Sequence, residues 1–232
     1  MAATVNLNDD ACLEGNAEKY SSRYSQIDKK SPLYGKTLYF LGSSVTRGYG
    51  ALGESLADFI SRRCGAETVV SAVDGTTLAD LSPDSYAARV LKFDKNVKPD
   101  CFVCQLSTND ARVSDKGTVT SSFDVGEFDR KTTFGAVEYI AHYVRSVWGC
   151  PLLFFTNPYF DNPVYADMVR VLLKAAEKWG AFVLDLFNNE NFNAVSCKAR
   201  RLYMKDDIHP TRAGYRDWIA PEFEKVLSRI VF

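Results

Sequence analysis

The chain has only two histidines in 232 residues and no excess of either charge, with 28 Lys and Arg against 29 Asp and Glu. A net charge of −1 removes the electrostatic case for nucleic acid or an anionic membrane as partner, because polyanion binders carry basic patches. No stretch approaches the roughly 20 apolar residues of a membrane span. The opening "MAATVNLNDDACLEGNAEKY" lacks the basic segment and apolar core of a secretory signal, so a cytoplasmic location is expected. Internal repeats, low-complexity tracts, obvious linkers and the G-K-[ST] of a phosphate-binding loop are also missing.

Cysteines stand at 12, 64, 101, 104, 150 and 197, and without an export signal they are expected to be reduced thiols. Cys101 and Cys104 spell C-x-x-C, which suggests redox or zinc chemistry. Within the strand-like "DCFVCQL", however, positions i and i+3 point to opposite faces, and no second pair with ligand spacing follows. They are read as buried structural residues, and no metal or cofactor is expected. A chain of this length buries roughly 70% of its unfolded surface, so one domain needs neither.

Five runs are apolar for most of their length, as parallel strands covered on both faces are: "TLYFLG" (37–42), "TVVSAV" (68–73), "CFVCQLS" (101–107), "PLLFFTN" (151–157) and "AFVLDLF" (181–187). Helical spacing lies between them, in Val137, Ile140, Ala141 and Val144, and again from Val164 to Trp179. Asn162, Pro163 and Gly180 supply the cap, first-turn proline and stop of the second helix. The last 20 residues are helical as well, with Pro221 as a kink or restart. This alternation predicts a doubly wound α/β sheet over residues 36–232. Residues 1–35 form a polar arm in which Tyr20, Tyr24 and Ile27 suggest an amphipathic helix over 16–28. Residues 111–131 form the longest weakly patterned loop.

Ligands of open α/β sheets bind beyond the carboxyl ends of the strands. Ser43 and Ser44 follow the first run, Asp74 and Gly75 the second, and Ser107, Thr108, Asn109 and Asp110 the third; Asp206, Asp207 and His209 precede the last helix. A nucleophile, a base, a carboxylate to orient it and oxyanion donors are the parts of acyl transfer. Asp206, three residues before His209, is near enough to reach Nδ1. The Ser44 and Gly75 amides and the Asn109 side chain are candidate oxyanion donors. Ser43 is the alternative nucleophile and Asp207 the alternative acid. Asp110 is read as organising its own loop through backbone amides, and His142 as a helical residue without a catalytic role.

The blocks "GSSVT" (42–46), "DGTT" (74–77), "STND" (107–110) and "DDIHP" (206–210) resemble, in order, the four blocks of the SGNH hydrolases, also called the GDSL esterase/lipase family. The resemblance spans residues 37–230. It implies a flavodoxin-like, three-layer α/β/α sandwich on a five-stranded parallel sheet, and metal-independent ester hydrolysis. It also implies a triad of Ser44, Asp206 and His209 with an oxyanion hole of Ser44, Gly75 and Asn109. Ser43 replaces the family's usual aspartate, and Ser107 its usual glycine.

The expected substrate is a short-chain O-acyl ester, with a carbohydrate O-acetyl group as one form. Tyr49, Tyr159 and Phe160 are candidate aromatic contacts for a sugar face. Two rival readings stand beside this one. The first is a catalytically silent binding module of the same fold. The second is nucleotide binding by Gly48, Gly50 and Gly53, which spell G-x-G-x-x-G but begin six residues after Gly42, too late for a Rossmann turn. Whether the chain forms a homo-oligomer is left open.

Overall fold

The computed structural model describes residues 10–231. Residues 1–9 of the arm lie outside them. The sheet has five parallel strands, β1 (Thr37–Gly42), β2 (Glu67–Ala72), β3 (Cys101–Gln105), β4 (Leu152–Phe155) and β5 (Phe182–Leu184), in the order β2-β1-β3-β4-β5. The order reverses beside β1, so the ends of β1 and β3 open the crevice where such folds place their ligands.

The helices, in chain order, are α1 (Ser44–Arg47), α2 (Leu56–Cys64), α3 (Tyr86–Arg89), α4 (Thr133–Val147), α5 (Pro163–Trp179), α6 (Glu190–Asn193), α7 (Cys197–Tyr203) and α8 (Ala220–Ile230). Helices α2 and α8 cover one sheet face, with Phe40, Val103, Phe155 and Phe223 in that core. Helices α3, α4 and α5 cover the other, with Tyr39, Phe102, Phe154 and Leu172. Cys101 joins the first core and Cys104 the second, as strand alternation requires, and burial pushes both thiols up.

Helix α5 carries the predicted signals: the Asn162 side chain accepts the Tyr165 amide, Pro163 opens the first turn, and Gly180 closes in the left-handed region. Pro221 does not interrupt the terminal helix: a π-helical turn, Gly214–Ile219, runs directly into α8, and the proline lies in the first turn of that α-helical segment.

Three expectations need correction. β2 is not buried on both faces. It is an edge strand with Val69 45% and Val70 41% exposed, and an apolar run cannot tell an edge from a centre. β5 is confined to Phe182–Leu184, also at an edge. The helix over 16–28 is absent: three 3₁₀ turns (Glu14–Asn16, Glu18–Tyr20, Ser22–Tyr24) are separated by extended residues at Ala17 and Ser21. The arm is held by its contacts, not by a helical ladder. Glu54 accepts the Ser22 amide and the Ser21 hydroxyl, while Tyr24 and Ile27 of the supposed apolar stripe stay exposed.

Candidate active site

Ser44 is the first residue of α1, directly beyond the end of β1, with Ser43 as the preceding cap residue. Its Oγ lies 2.9 Å from Nε2 of His209. Nδ1 of His209 faces Asp206 Oδ2 at 2.8 Å, and Asp206 Oδ1 also accepts the amides of Ile208 and His209 at 2.8 Å each. Partial burial of the Asp206 carboxyl raises its pKa. The hydrogen bond and charge of His209, with the two amides, outweigh that and hold it at about 2. Asp206 is therefore a fixed anion behind the imidazole, which keeps its Nδ1–H oriented and leaves Nε2 to accept a proton. Neither Asp207 nor Ser43 takes part. Asp207 makes no bond to His209, and Ser43 is fully buried, its amide donating to Gln105 Oε1.

The cleft, of about 230 Å³, is lined by Ser44, Asn109 and His209 together with Phe160, Ile208 and Arg112 among others. Asn109 belongs to the 3₁₀ turn Thr108–Arg112 after β3. Its side-chain amide donates one N–H to the Thr76 carbonyl at 3.0 Å, while the Ser43 hydroxyl stands at 3.5 Å. Gly75 adjoins that anchor at a φ of +74°, which only glycine adopts without cost. It is not part of the cleft's lining, and its amide donates to no backbone carbonyl among the described residues.

Asp110 bonds backbone amides, but not those of its own loop: it accepts the amides of Leu78 and Ala79, in the loop after β2, at 2.7 and 3.2 Å. Burial pushes its pKa up to about 6, against the pull of those two amides. Ser107 caps the same turn, accepting the Asn109 amide and donating to the Thr76 carbonyl. A serine where the family usually has glycine thus becomes a tie between the two loops.

Of the three aromatic candidates, Phe160 lines the cleft. Tyr49 packs on His209 with ring centroids 4.8 Å apart, outside the lining. Tyr159 is half exposed, also outside, and packs on Phe187 at 5.2 Å. His142 lies apart in α4, edge-on to Phe128 and Trp179.

Gly48 ends α1 in the left-handed region, and the N-terminus of α2 beyond the glycines is already filled by a capping box of Ser55 and Asp58. The carboxylate of Asp58 occupies the place where a pyrophosphate would dock.

Several residues that the sequence reading passed over hold this site. Gln105 Oε1 accepts the Ser43 amide and the Thr46 hydroxyl beneath the turn that carries Ser44. Arg89, 3% exposed, donates to the carbonyls of Gly42 and Ser71 and to the Thr76 hydroxyl, joining the ends of β1 and β2 to the Asn109 anchor. Asn157 Nδ2 holds the Ile208 carbonyl, and Asn16 Nδ2 the Gly50 carbonyl, while Asn16 Oδ1 accepts the Arg212 amide. The signal for Gln105 was a lone amide inside an apolar strand; nothing local marked Asn16.

A family model for the GDSL-like Lipase/Acylhydrolase family matches residues 40–216. The chain belongs to this family. No curated protein matches it. Among solved structures, a Lactobacillus plantarum protein is similar at 19% identity and a TM-score of 0.71, covering 84% of this chain and 98% of its own. A Bacteroides ovatus protein described as a GDSL-like lipase is similar at 16% identity and a TM-score of 0.63, covering 84% and 99%. A family two carbohydrate esterase from Clostridium thermocellum, solved with cellohexaose, is similar at 14% identity and a TM-score of 0.61, covering 84% of this chain and 64% of that one. At these identities the likeness is one of fold, and this GDSL-like chain shares their α/β architecture. None of its described helices is long and apolar enough to cross a membrane, and no group of three or more potential metal ligands occurs among the described residues.

Proposed function

We propose that the protein is a serine esterase that hydrolyses short-chain O-acyl esters through an acyl-enzyme on Ser44. The observation that carries this is the continuous chain of contacts Ser44 Oγ–His209 Nε2–Asp206, at 2.9 and 2.8 Å. As the Ser44 oxygen attacks the ester carbonyl, its proton passes to Nε2. Asp206, which stays ionised, then stabilises the imidazolium without taking its proton. The oxyanion so formed accepts hydrogen bonds from the Asn109 side chain and from the amides of Ser44 and Gly75. The Ser44 amide is a first-turn donor of α1 with no intrahelical partner. Collapse of the intermediate expels the alcohol, which takes the proton from Nε2, and a water activated by the same nitrogen releases the acid. No step requires a cofactor.

A cleft of about 230 Å³ favours a short acyl group over a fatty chain. A carbohydrate O-acetyl ester is the form of substrate we favour. Phe160 in the lining and the fold shared with a carbohydrate esterase support it. The test is labelling by a fluorophosphonate, together with turnover of 4-nitrophenyl acetate by wild type and Ser44→Ala. Wild type should label and turn over; Ser44→Ala should do neither, at nearly unchanged thermal stability. Full turnover by Ser44→Ala would refute the assignment. A folded wild type that binds acetylated sugars without labelling would establish the silent binding module instead.

A further inference from the structure

We infer that the ester accepted by this cleft carries a carboxylate, and that Arg112 receives it. The inference rests on the esterase reading and specifies its substrate class.

Arg112 ends the 3₁₀ turn that begins at Thr108, three residues after Asn109. Three residues complete one 3₁₀ turn, so positions i and i+3 superpose about 6 Å apart along the axis. The turn that aims Asn109 at the reacting carbonyl therefore sets Arg112 on the same side, a few bonds' length away. Both residues line the cleft.

Neighbouring arginines are engaged: Arg47 with Asp74, Arg212 with Glu54, Arg200 with the Tyr159 carbonyl and Arg89 with the strand ends. The Arg112 side chain has no ion pair or hydrogen bond among the described residues, and it is exposed. No carboxylate lines the cleft. Apart from the His209 imidazole, its other lining residues, Phe160, Val164, Ile208 and Ala111 among them, bear no ionisable side chain. Asn162 and Val164 bring the N-terminal end of the 17-residue helix α5 to the same wall, adding the positive end of its dipole. A guanidinium without an internal partner, beside apolar walls that focus its field, suits a carboxylate bound by its two parallel N–H groups.

That carboxylate can belong to the acyl half, as in a dicarboxylic half-ester, or to the alcohol half, as in an acylated acidic sugar. Two matched pairs separate these sources. For the acyl half, 4-nitrophenyl hemiadipate is compared with its methyl ester by nitrophenol release. For the alcohol half, 4-acetoxybenzoate is compared with 4-acetoxybenzamide by acetate release. Wild type should prefer the anionic member of one pair by about 10- to 100-fold in kcat/KM, the range for a hydrogen bond to a charged group. Arg112→Gln should collapse that ratio towards one, and Arg112→Glu should invert it. Equal rates within both pairs, or a preference that survives Arg112→Gln, would overturn the inference while leaving the esterase standing. Absence of all turnover, with Ser44 unlabelled, would instead remove the esterase reading and this inference with it.

Discussion

Replacing Asp206 by asparagine separates two tasks that one carboxylate performs. Oδ1 holds the amides of Ile208 and His209, which fixes the loop, and stands 3.0 Å from Nδ1 of the imidazole, while Oδ2 is the nearer oxygen to Nδ1 at 2.8 Å. An asparagine can keep its oxygen on both amides. Its NH2 group then takes the place of Oδ2, the oxygen nearer Nδ1, and donates to that nitrogen, so the ring proton moves to Nε2, 2.9 Å from Ser44 Oγ. That tautomer cannot take the serine proton. Forcing the wrong tautomer in a Ser–His–Asp triad costs about 10⁴ in kcat, or roughly 5.5 kcal/mol of barrier. The stability cost is much smaller. A carboxyl at about 2 instead of 3.8 corresponds to about 2.4 kcal/mol at face value. With 42% of the side chain exposed, solvent screening reduces this to about 1 kcal/mol. The sign follows from the depressed value: the stabilisation is complete above the unfolded carboxyl pKa near 4 and is lost as pH falls towards about 2. Wild type should thus melt about 2–4 °C above Asp206→Asn at pH 7, a gap that closes on acidification below about pH 5. The assay is kcat on 4-nitrophenyl acetate beside melting curves from pH 2 to 8. An Asp206→Asn enzyme within tenfold of wild-type kcat would refute the tautomer argument. So would an equal loss in Asp207→Asn.

Two further perturbations read other parts of the site. Asn109→Ala should lower kcat by about 10²–10³ as one oxyanion donor is lost; its missing bond to the Thr76 carbonyl should lower Tm by only a few degrees, and a loss under threefold would remove Asn109 from the oxyanion hole. Gly50→Ala would set a Cβ 2.5 Å from the Pro210 carbonyl oxygen and 3.0 Å from His209 Cβ, so the histidine loop must shift. A displacement near 1 Å should cost about 10²-fold in kcat, and wild-type kinetics in this variant would show that the loop yields elsewhere.

How much of this was legible in the sequence varies with the physics that sets each feature. β1 was readable to the residue and α5 nearly so, because an unbroken apolar run and a complete set of caps are local signals. The four chemical blocks were readable because their residue types are rare together, and the structure brings Ser44, Asn109 and His209 to one cleft with Asp206 behind the imidazole. β2 misled because hydrophobicity reports a strand, not its neighbours: Val69 and Val70 are as apolar as any central residue yet lie at an edge. The arm misled because Tyr20, Tyr24 and Ile27 have helical spacing, whereas its conformation is set by partners 30 to 200 residues away, such as Glu54 and Arg212. The role of Arg89 was invisible for the same reason, and the lone amide of Gln105 marked a position without a role, since a buried arginine or glutamine has meaning only through the carbonyls and amides it meets.

These long-range contacts bear on the proposed catalysis as well as on folding. The proposed triad needs its imidazole held within hydrogen-bond reach of both partners, and His209 lies in a loop without regular structure on its N-terminal side. Three separate parts of the chain hold that loop. Asn157, at the end of β4, grips the Ile208 carbonyl. The Gly50 backbone packs against Pro210 and His209 at a distance that excludes any side chain. The arm closes the third side, where Asn16, 2% exposed, bonds the Gly50 carbonyl with one end of its amide and the Arg212 amide with the other. Arg212 in turn reaches Glu54, whose other oxygen holds the Ser22 amide. The glycine loop and the segment after His209 are therefore tied through the arm, not only to each other. Of the three glycines that spell a dinucleotide motif, Gly50 serves here as the close-packed wall against which His209 is set, while Gly48 packs on Glu54 and a Cβ at Gly53 would meet nothing within 4 Å.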